Sequence, residues 1–243
     1  MDIYSVNRFS DVVAGNTYPG RGIVVGESAD GTKAVAAYFI MGRSANSRNR
    51  VFVKKGEEVF TEPFDAAKVE DPSLIIYAAV RKFANYLIVT NGNQTDTIYD
   101  GLAAAADEHG FYRALATRCF EPDAPNLTPR ISAMINFDDA AGFTYSISIL
   151  KSADAEGSAC NRYGYDYEPV PGLGHFIHTY ECDGNPLPTF QGEPRRIAIP
   201  DSIDEFTDEI WNALDDDNKI SLYVRYTDLI SGEFEDRLIN CNE

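Results

Sequence analysis

Cysteine is scarce and unpatterned in this sequence. Cys119, Cys160, Cys182 and Cys241 are scattered over 243 residues with no CxxC spacing. Neither a disulfide framework nor a zinc knuckle is expected, and reduced thiols in a cytoplasmic setting fit best. Histidine is scarcer still, with only His109, His175 and His178. The last two stand three apart in a run that reads as a strand, so they face opposite ways and make poor metal ligands. No metal site is expected. Positive charge is also short: 21 Lys and Arg against 38 Asp and Glu, a net charge of −17. That balance argues against a general nucleic-acid binder and against docking on an anionic membrane. Long apolar runs are missing. The longest, Ala34 to Met41 and Leu74 to Val80, fall far short of the ~20 residues that a membrane span needs. The polar start, MDIYSVNRFSD, carries no signal-peptide pattern. There is no GxSxG elbow and no P-loop, and Gly20-Arg21-Gly22 leads into a strand rather than opening a helix. No internal repeat, low-complexity tract or linker is found.

What is present is a foldable chain. Hydrophobic residues make up 44% and charged residues 24%; the length allows one large domain or at most two small ones, and one domain over 1–243 is expected. Strand signals dominate. Gly22–Gly26 and Ala34–Met41 flank an Asp30-Gly31 turn. Val51–Val53 is a short strand, and Leu74–Val80 and Tyr86–Thr90 read as strands covered on both faces. Alternation is cleaner later on. Ile131, Ala133, Ile135 and Phe137 share a face; so do Phe143, Tyr145, Ile147 and Ile149; so do Ile220, Leu222, Val224 and Tyr226. His175–Tyr180 and Arg195–Ile199 suggest two further strands. Helices are fewer. One is expected from a cap at Thr95 or Asp96 to about Glu108, another over Phe111–Phe120. A third follows the capping box Ser202…Glu205 and buries Ile203, Phe206, Ile210 and Leu214. Six of the twelve prolines fall in 169–200, which reads as a long hairpin or a surface excursion. The expectation is two layered, mostly antiparallel sheets flanked by helices.

Three segments could carry chemistry. Residues 43–55, RSANSRNRVFVKK, hold Arg43, Arg48, Arg50, Lys54 and Lys55 without an acid. Guanidinium forks at a strand end suit a phosphate; equally, the segment could be a surface loop paired with the abundant acids. Asn91-Gly92-Asn93-Gln94-Thr95-Asp96 joins a buried strand to a helix. Its free amides favour polar ligands or anions, and its Asn side chains could read a carboxamide; the alternative is a turn with a cap. Glu121 to Arg130, EPDAPNLTPR, could hold a polar constellation still, or be a rigid connector. With so little histidine, Tyr and Glu or Asp must supply any acid–base chemistry unless one His serves.

Taken together, RGIVVGESADGTKAVAAYFIMGRSANSRNR, DPSLIIYAAVR, VTNGNQTDTIYDGL, FEPDAPNLTPRISAMI and HTYECDGNPLPTFQGEPRRIAI, spanning roughly residues 21–199, resemble the inosine monophosphate (IMP) cyclohydrolase family, the archaeal-type monofunctional enzyme and its bacterial relatives. The C-terminal part is more similar to the longer bacterial form. The resemblance implies an α+β fold, a four-layer αββα sandwich like that of the N-terminal nucleophile hydrolases. Met1-Asp2 offers no nucleophile, so autocatalysis is not expected. It also implies ring closure of the formamido-imidazole-carboxamide ribonucleotide FAICAR to IMP with loss of water, by a cytoplasmic homo-oligomer without cofactor. The carboxamide nitrogen is a poor nucleophile. The site must orient it, take a proton and give one to the departing oxygen.

Matched residue by residue, the family's motifs fall on Arg43 and Ser44, on Asn49 and Arg50, on Tyr77, on Asn91, Gly92, Thr95 and Asp96, and on Glu121, Asn126, Thr128, Pro129 and Arg130. The resemblance casts Tyr77 and Glu121 as the proton-transfer pair, and Arg43, Arg50 and Arg130 as phosphate ligands. Asn91 and Asn126 would position the carboxamide and formyl groups, and Glu121→Gln is expected to cut turnover and leave folding intact. The basic segment is two residues longer than the archaeal pattern, which leaves Arg48 or Arg50 for the phosphate. Ala78 stands where that pattern has Asn. A non-catalytic purine-nucleotide-binding protein, or another amide-processing hydrolase on the same fold, is the alternative.

Overall fold

The computed structural model describes residues 4–69, 76–105, 109–139 and 142–242. The chain runs α1 (Phe9–Val13), β1 (Arg21–Glu27), β2 (Lys33–Met41), α2 (Ala45–Arg48), β3 (Val51–Lys55), β4 (Glu58–Glu62), β5 (Tyr77–Phe83), β6 (Tyr86–Thr90), α3 (Gln94–Ala104) and α4 (Gly110–Leu115). It continues through β7 (Arg130–Asp139), β8 (Gly142–Ser152), β9 (Cys160–Tyr167), β10 (Leu173–His178), β11 (Arg195–Ala198), α5 (Ile203–Ala213), β12 (Lys219–Asp228) and β13 (Phe234–Asn240). Six strands form one sheet in the order β11-β10-β1-β2-β12-β13; seven form the other in the order β3-β4-β5-β6-β7-β8-β9. Every pairing within them is antiparallel. No helix of the described residues is long and apolar enough to cross a membrane.

Period-two alternation sorts the side chains. Along β2, Ala34, Ala36, Tyr38 and Ile40 face the second sheet, where they meet Ile131, Ala133, Ile135 and the Phe143–Ile149 series in one shared core. Val35, Ala37, Phe39 and Met41 point the other way, onto α1 and α5. On the outer face of the second sheet, Ile88 and Met134 pack with Ile98, Leu102, Phe111 and Leu115 of α3 and α4. Each fully buried side chain of this kind contributes roughly 1.5–3 kcal/mol.

The hairpin about Asp30-Gly31 and the shared faces of β7 and β8 agree with the pattern read from sequence. β12 does not. Its register against β2 shifts between Lys219 and Ser221, so Ile220 turns into the central core while Leu222, Val224 and Tyr226 pack under the helices. A bulge of this kind breaks simple alternation. The helix after Asn91 starts at Gln94, so Thr95 and Asp96 sit in its first turn rather than at its cap; Glu108 lies outside the described residues. The next helix closes at Leu115, and Thr117 bonds back to the Ala114 carbonyl at 2.9 Å. Of the capping box expected for α5 the N-cap half is present, with Ser202 accepting from the Glu205 amide at 3.2 Å. Strand Leu74–Val80 is found from Tyr77 onward, and Leu74 and Ile75 lie outside the described residues. Within 169–200 the chain is an antiparallel hairpin, β10–β11, with β10 buried inside the first sheet. Its prolines stay out of both strands.

The antiparallel order fixes where the polar segments meet. β1, β3, β5 and β7 begin at one end of the sandwich, and β2, β6 and β10 finish there. Arg21, the 43–50 segment, Tyr77, the 91–96 loop, Glu121–Arg130 and Tyr180–Leu187 therefore converge.

Candidate functional site

A cavity of about 300 Å³ opens at that end, lined by Tyr18, Arg21, Arg43, Ser44, Arg50, Glu121, Asp123, Asn126, Tyr180 and Leu187, with Asn46 and Ser47. Three guanidinium groups on one small cavity are notable in a chain of net charge −17.

Its floor is a buried ion pair. Nη2 of Arg21 lies 2.8 Å from both carboxylate oxygens of Glu121, and both side chains are nearly enclosed. Burial opposes the Arg21 charge, but Glu121, followed by the nearby tyrosines, more than offsets this and raises its pKa. The pair leaves Arg21 Nε buried and without a partner. Such a donor is costly unless something accepts from it. Arg130 approaches Glu121 from the other side. Its Nη1 donates to Gln94 Oε1 at 2.7 Å, and burial lowers its pKa while Glu121 opposes that shift. Gly92 makes this approach possible: a Cβ there would lie 2.7 Å from Arg130 Nη1 and 3.3 Å from Glu121 Oε1.

Tyr77, at the start of β5, is buried, and its hydroxyl meets that of Tyr38 on β2 at 2.7 Å. Tyr38 also stacks on Phe52, with ring centroids 5.4 Å apart. Burial, then the neighbouring Tyr77, holds the Tyr38 phenol well above its ordinary range, against the pull of Arg21 and Arg50. Arg50 is buried beside the two rings. Its Nε donates to the Ser47 carbonyl at 2.6 Å and its Nη2 to that of Met41 at 3.0 Å. Burial lowers its pKa; the tyrosines partly restore it and Arg21 lowers it further. An arginine stays protonated regardless.

The basic segment divides sharply. Arg43 and Arg50 line the cavity, whereas Arg48 is exposed and Lys54 and Lys55 pair with Asp236 and Glu62, each at 2.5 Å. Ser44 caps the short α2, with its Oγ accepting from the Ser47 amide at 3.1 Å. Arg43 is half-exposed. It lies over the Tyr18 ring at 4.9 Å, donates to the Gly184 carbonyl at 3.0 Å and pairs with Asp183. Asn49 lies outside the cavity lining, with its amide bonded to both backbone groups of Asp65 at 2.8 Å.

The 91–96 loop is bonded mostly to itself and to β7. Asn91 Nδ2 donates to the Pro129 carbonyl, and Asn91 Oδ1 accepts from the Ile131 amide, each at 2.9 Å. Thr95 shares a 2.6 Å hydroxyl contact with Thr90, and Asp96 accepts from Arg81 at 2.8 Å. None of these three lines the cavity. The loop before β7 closes on itself: the Glu121 amide donates to the Thr128 carbonyl at 2.9 Å, and the Thr128 amide to Asp123 at 2.7 Å. The Thr128 hydroxyl is shared between Asp123 and Tyr180. Asn126 lines the cavity and accepts from the Leu187 amide at 3.2 Å.

Sequence reasoning missed Arg21, Tyr38, Tyr18 and Tyr180. Arg21 was visible only as a lone arginine opening an apolar strand, and Tyr38 reads as an ordinary core aromatic. Their signal is topological, because it appears once β1, β2 and β5 are known to share one end.

Comparison with known proteins follows the same residues. The family model described as "IMP cyclohydrolase-like protein" matches residues 18–232. A protein of Methanopyrus kandleri named IMP cyclohydrolase is 29% identical over 184 residues, covering 72% of this chain and 89% of its own. A protein of the same name from Methanococcus aeolicus is 27% identical over 168 residues, covering 68% of this chain and 75% of its own. The match reaches from Tyr18 through every residue of the cavity, and the chain belongs to the IMP cyclohydrolase-like family.

Proposed function

We propose that this protein closes FAICAR to IMP with release of water, within purine biosynthesis. The observation that carries this reading is a buried carboxylate, Glu121 on Arg21, beside a cavity that also carries Arg43 and Arg50. In an acidic protein a phosphate is what such guanidiniums attract, Arg50 being bonded to backbone carbonyls and Arg43 paired with the part-exposed Asp183. An anchored carboxylate acceptor is what a weakly acidic carboxamide N–H needs.

In this reading Arg43 and Arg50 hold the 5′-phosphate, with Ser44 beside them at the start of α2. Glu121 and Tyr77 handle protons, and Asn126 orients the formyl or carboxamide group from the cavity wall. Binding both groups in one rigid cavity makes the attack effectively unimolecular, which suits an intramolecular ring closure. Gly92 and Arg130 brace Glu121 from behind, while Asn49, Asn91, Thr95, Asp96 and Thr128 hold the loops in place. We read the two sheets with helices on both outer faces as the αββα sandwich of the N-terminal nucleophile hydrolases. We expect the active form to be a cytoplasmic homo-oligomer, which light scattering on the purified protein tests for assembly.

The decisive experiment mixes the protein with FAICAR, without folate or added metal, and follows IMP by absorbance and chromatography. Tyr77→Phe and Glu121→Gln run alongside. IMP formation lost in both variants is the expected result. FAICAR binding without turnover would favour a nucleotide-binding protein, and a different product would favour another amide-processing reaction.

A further inference from the structure

The Tyr38–Tyr77 contact holds one proton between two hydroxyl oxygens 2.7 Å apart. Its direction follows from what surrounds each ring. Tyr38 has no exposed surface, and the Tyr77 oxygen is the sole hydrogen-bond partner found for its hydroxyl among the described residues. If Tyr77 donated, the Tyr38 proton would be buried without an acceptor, which costs the full desolvation of that group. If Tyr38 donates, its own requirement is met and the Tyr77 proton is released to the other side. Arg21 and Arg50, which line the cavity, act with their charges on both rings. Guanidinium groups have no acceptor, so neither can take the Tyr77 proton. Tyr77 lies outside the cavity lining but close to these two cavity arginines, and unlike Tyr38 it keeps a little exposed surface, so the destination left for its proton is an oxygen bound there.

We propose that Tyr38 is a positioning residue for Tyr77: it donates the shared hydrogen bond and so turns the Tyr77 proton toward the cavity, where it is given to the formyl oxygen of the substrate. This rests on FAICAR being the substrate. The step balances. The carboxamide nitrogen forms the N–C bond and gives one proton to Glu121; the formyl C=O pair moves onto oxygen, which takes the Tyr77 proton. In the elimination, the hydroxyl takes the proton back from Glu121 and leaves as water. The former formamide nitrogen gives its proton to the Tyr77 phenolate as the C=N bond forms. Tyr38 keeps its proton throughout, which agrees with its raised pKa. It never touches substrate.

The test is a double-mutant cycle. Phenylalanine at either position keeps the ring, and the Tyr38 ring keeps its stack on Phe52. Tyr38→Phe should lower kcat at least about tenfold and leave KM within about twofold. Tyr38→Phe/Tyr77→Phe should be no slower than Tyr77→Phe alone, because Tyr38 acts only through Tyr77. Unchanged kcat in Tyr38→Phe, or losses that multiply in the double variant, would overturn the proposal. A second measurement does not depend on turnover. Tyrosines labelled with carbon-13 at Cζ report, through the deuterium isotope shift, which hydroxyl proton exchanges slowly. A slowly exchanging proton on Tyr38 supports the assignment; one on Tyr77 and not on Tyr38 refutes it. If the wild type forms no IMP, the labelling still decides the direction of the bond, and the failure belongs to the substrate reading.

Discussion

The two ends of the sandwich both bury polar groups between the sheets and use them differently. Toward the far end, Tyr145, Tyr167 and His175 pack together beside Glu27 and Arg196, whose Nε is buried without a partner. The Tyr145 hydroxyl meets His175 Nδ1 at 2.7 Å, and His175 stacks on Tyr167 with ring centroids 3.7 Å apart. The chain there turns tightly, with Asp30 accepting from Ser28 and Thr32 inside the β1–β2 turn. At the near end the connections are long, and Arg21, like Arg196, keeps a buried Nε without a partner. Buried polarity alone therefore does not mark a site. Nor does an unpaired donor, since Arg196 at the far end keeps one too; what distinguishes the near end is three guanidinium groups and a buried carboxylate on one cavity, walled by long loops.

The largest test of that contrast is Glu121→Gln. Turnover should fall about 10²–10⁴-fold with the loss of proton transfer. The expectation that folding is left intact changes with the structure, because Arg21 would lose its counter-charge while nearly enclosed. Breaking a buried pair in this way costs about 3–5 kcal/mol. Urea unfolding alongside the IMP assay checks both effects; a variant that unfolds like the wild type would remove the special status of the near end.

The far end should answer to pH. Burial, with Arg196 second, pushes His175 down to about 4. At the near-end terminus of the same strand, burial likewise lowers His178 to about 4, against its bond to the Tyr180 carbonyl. Below the ordinary histidine value near 6.5 the unfolded chain takes up these protons and the folded chain does not. Stability is therefore fully present above about pH 6.5 and is lost as pH falls toward 4, by about 1.4 kcal/mol per pH unit for each histidine. In His175→Gln, the slope of unfolding free energy against pH should flatten by one histidine's share, and turnover at neutral pH should stay within about twofold of wild type. A loss of neutral-pH turnover would show that the two ends are coupled.

How much of this was legible depends on the kind of signal. β7 and β8 could be read because their apolar residues alternate without interruption. β9 and β13 could not: both are sheet edges, where Arg162, Asp166, Glu235 and Arg237 break the apolar pattern. The basic segment was legible as a cluster, but only burial separates Arg50 in the cavity from exposed Arg48. Asn49 and Asn91 look like ligand readers in sequence, and in the fold their amides bond the backbone. A polar side chain in a loop has two uses, and sequence does not say which. Arg21 and Tyr38 show the reverse, since nothing local distinguishes them from a strand start and a core ring.

Gly92→Ala sharpens the near end without changing any charge. The added methyl would lie 2.7 Å from both Arg130 Nη1 and Gln94 Oε1, so one of them must shift. Overpacking of this kind costs about 1–3 kcal/mol. Because the shift moves Arg130 against Glu121, kcat should fall about tenfold. A variant with lowered stability but unaltered kcat would show that Arg130 does not help to place the carboxylate.

The smallest effect belongs to Asp183. It pairs with Arg43 at the mouth of the cavity, with both side chains partly exposed at 48% and 36%. A carboxylate on that guanidinium occupies the position that a phosphate would need, so the two must compete. Exposed pairs are worth about 0–1 kcal/mol, which bounds the effect. Asp183→Asn should tighten inhibition by inorganic phosphate by no more than about fivefold and leave kcat unchanged. The Gly184 carbonyl still accepts from Arg43 in that variant, so the arginine stays over Tyr18 and only its electrostatic partner changes. Phosphate inhibition unaltered by Asp183→Asn but abolished by Arg50→Met would move the phosphate inward, from the exposed mouth to the buried guanidinium beside Tyr38 and Tyr77. Arg43 would then serve to gate the cavity, and the distance between phosphate and proton-transfer groups would be set almost entirely by buried side chains.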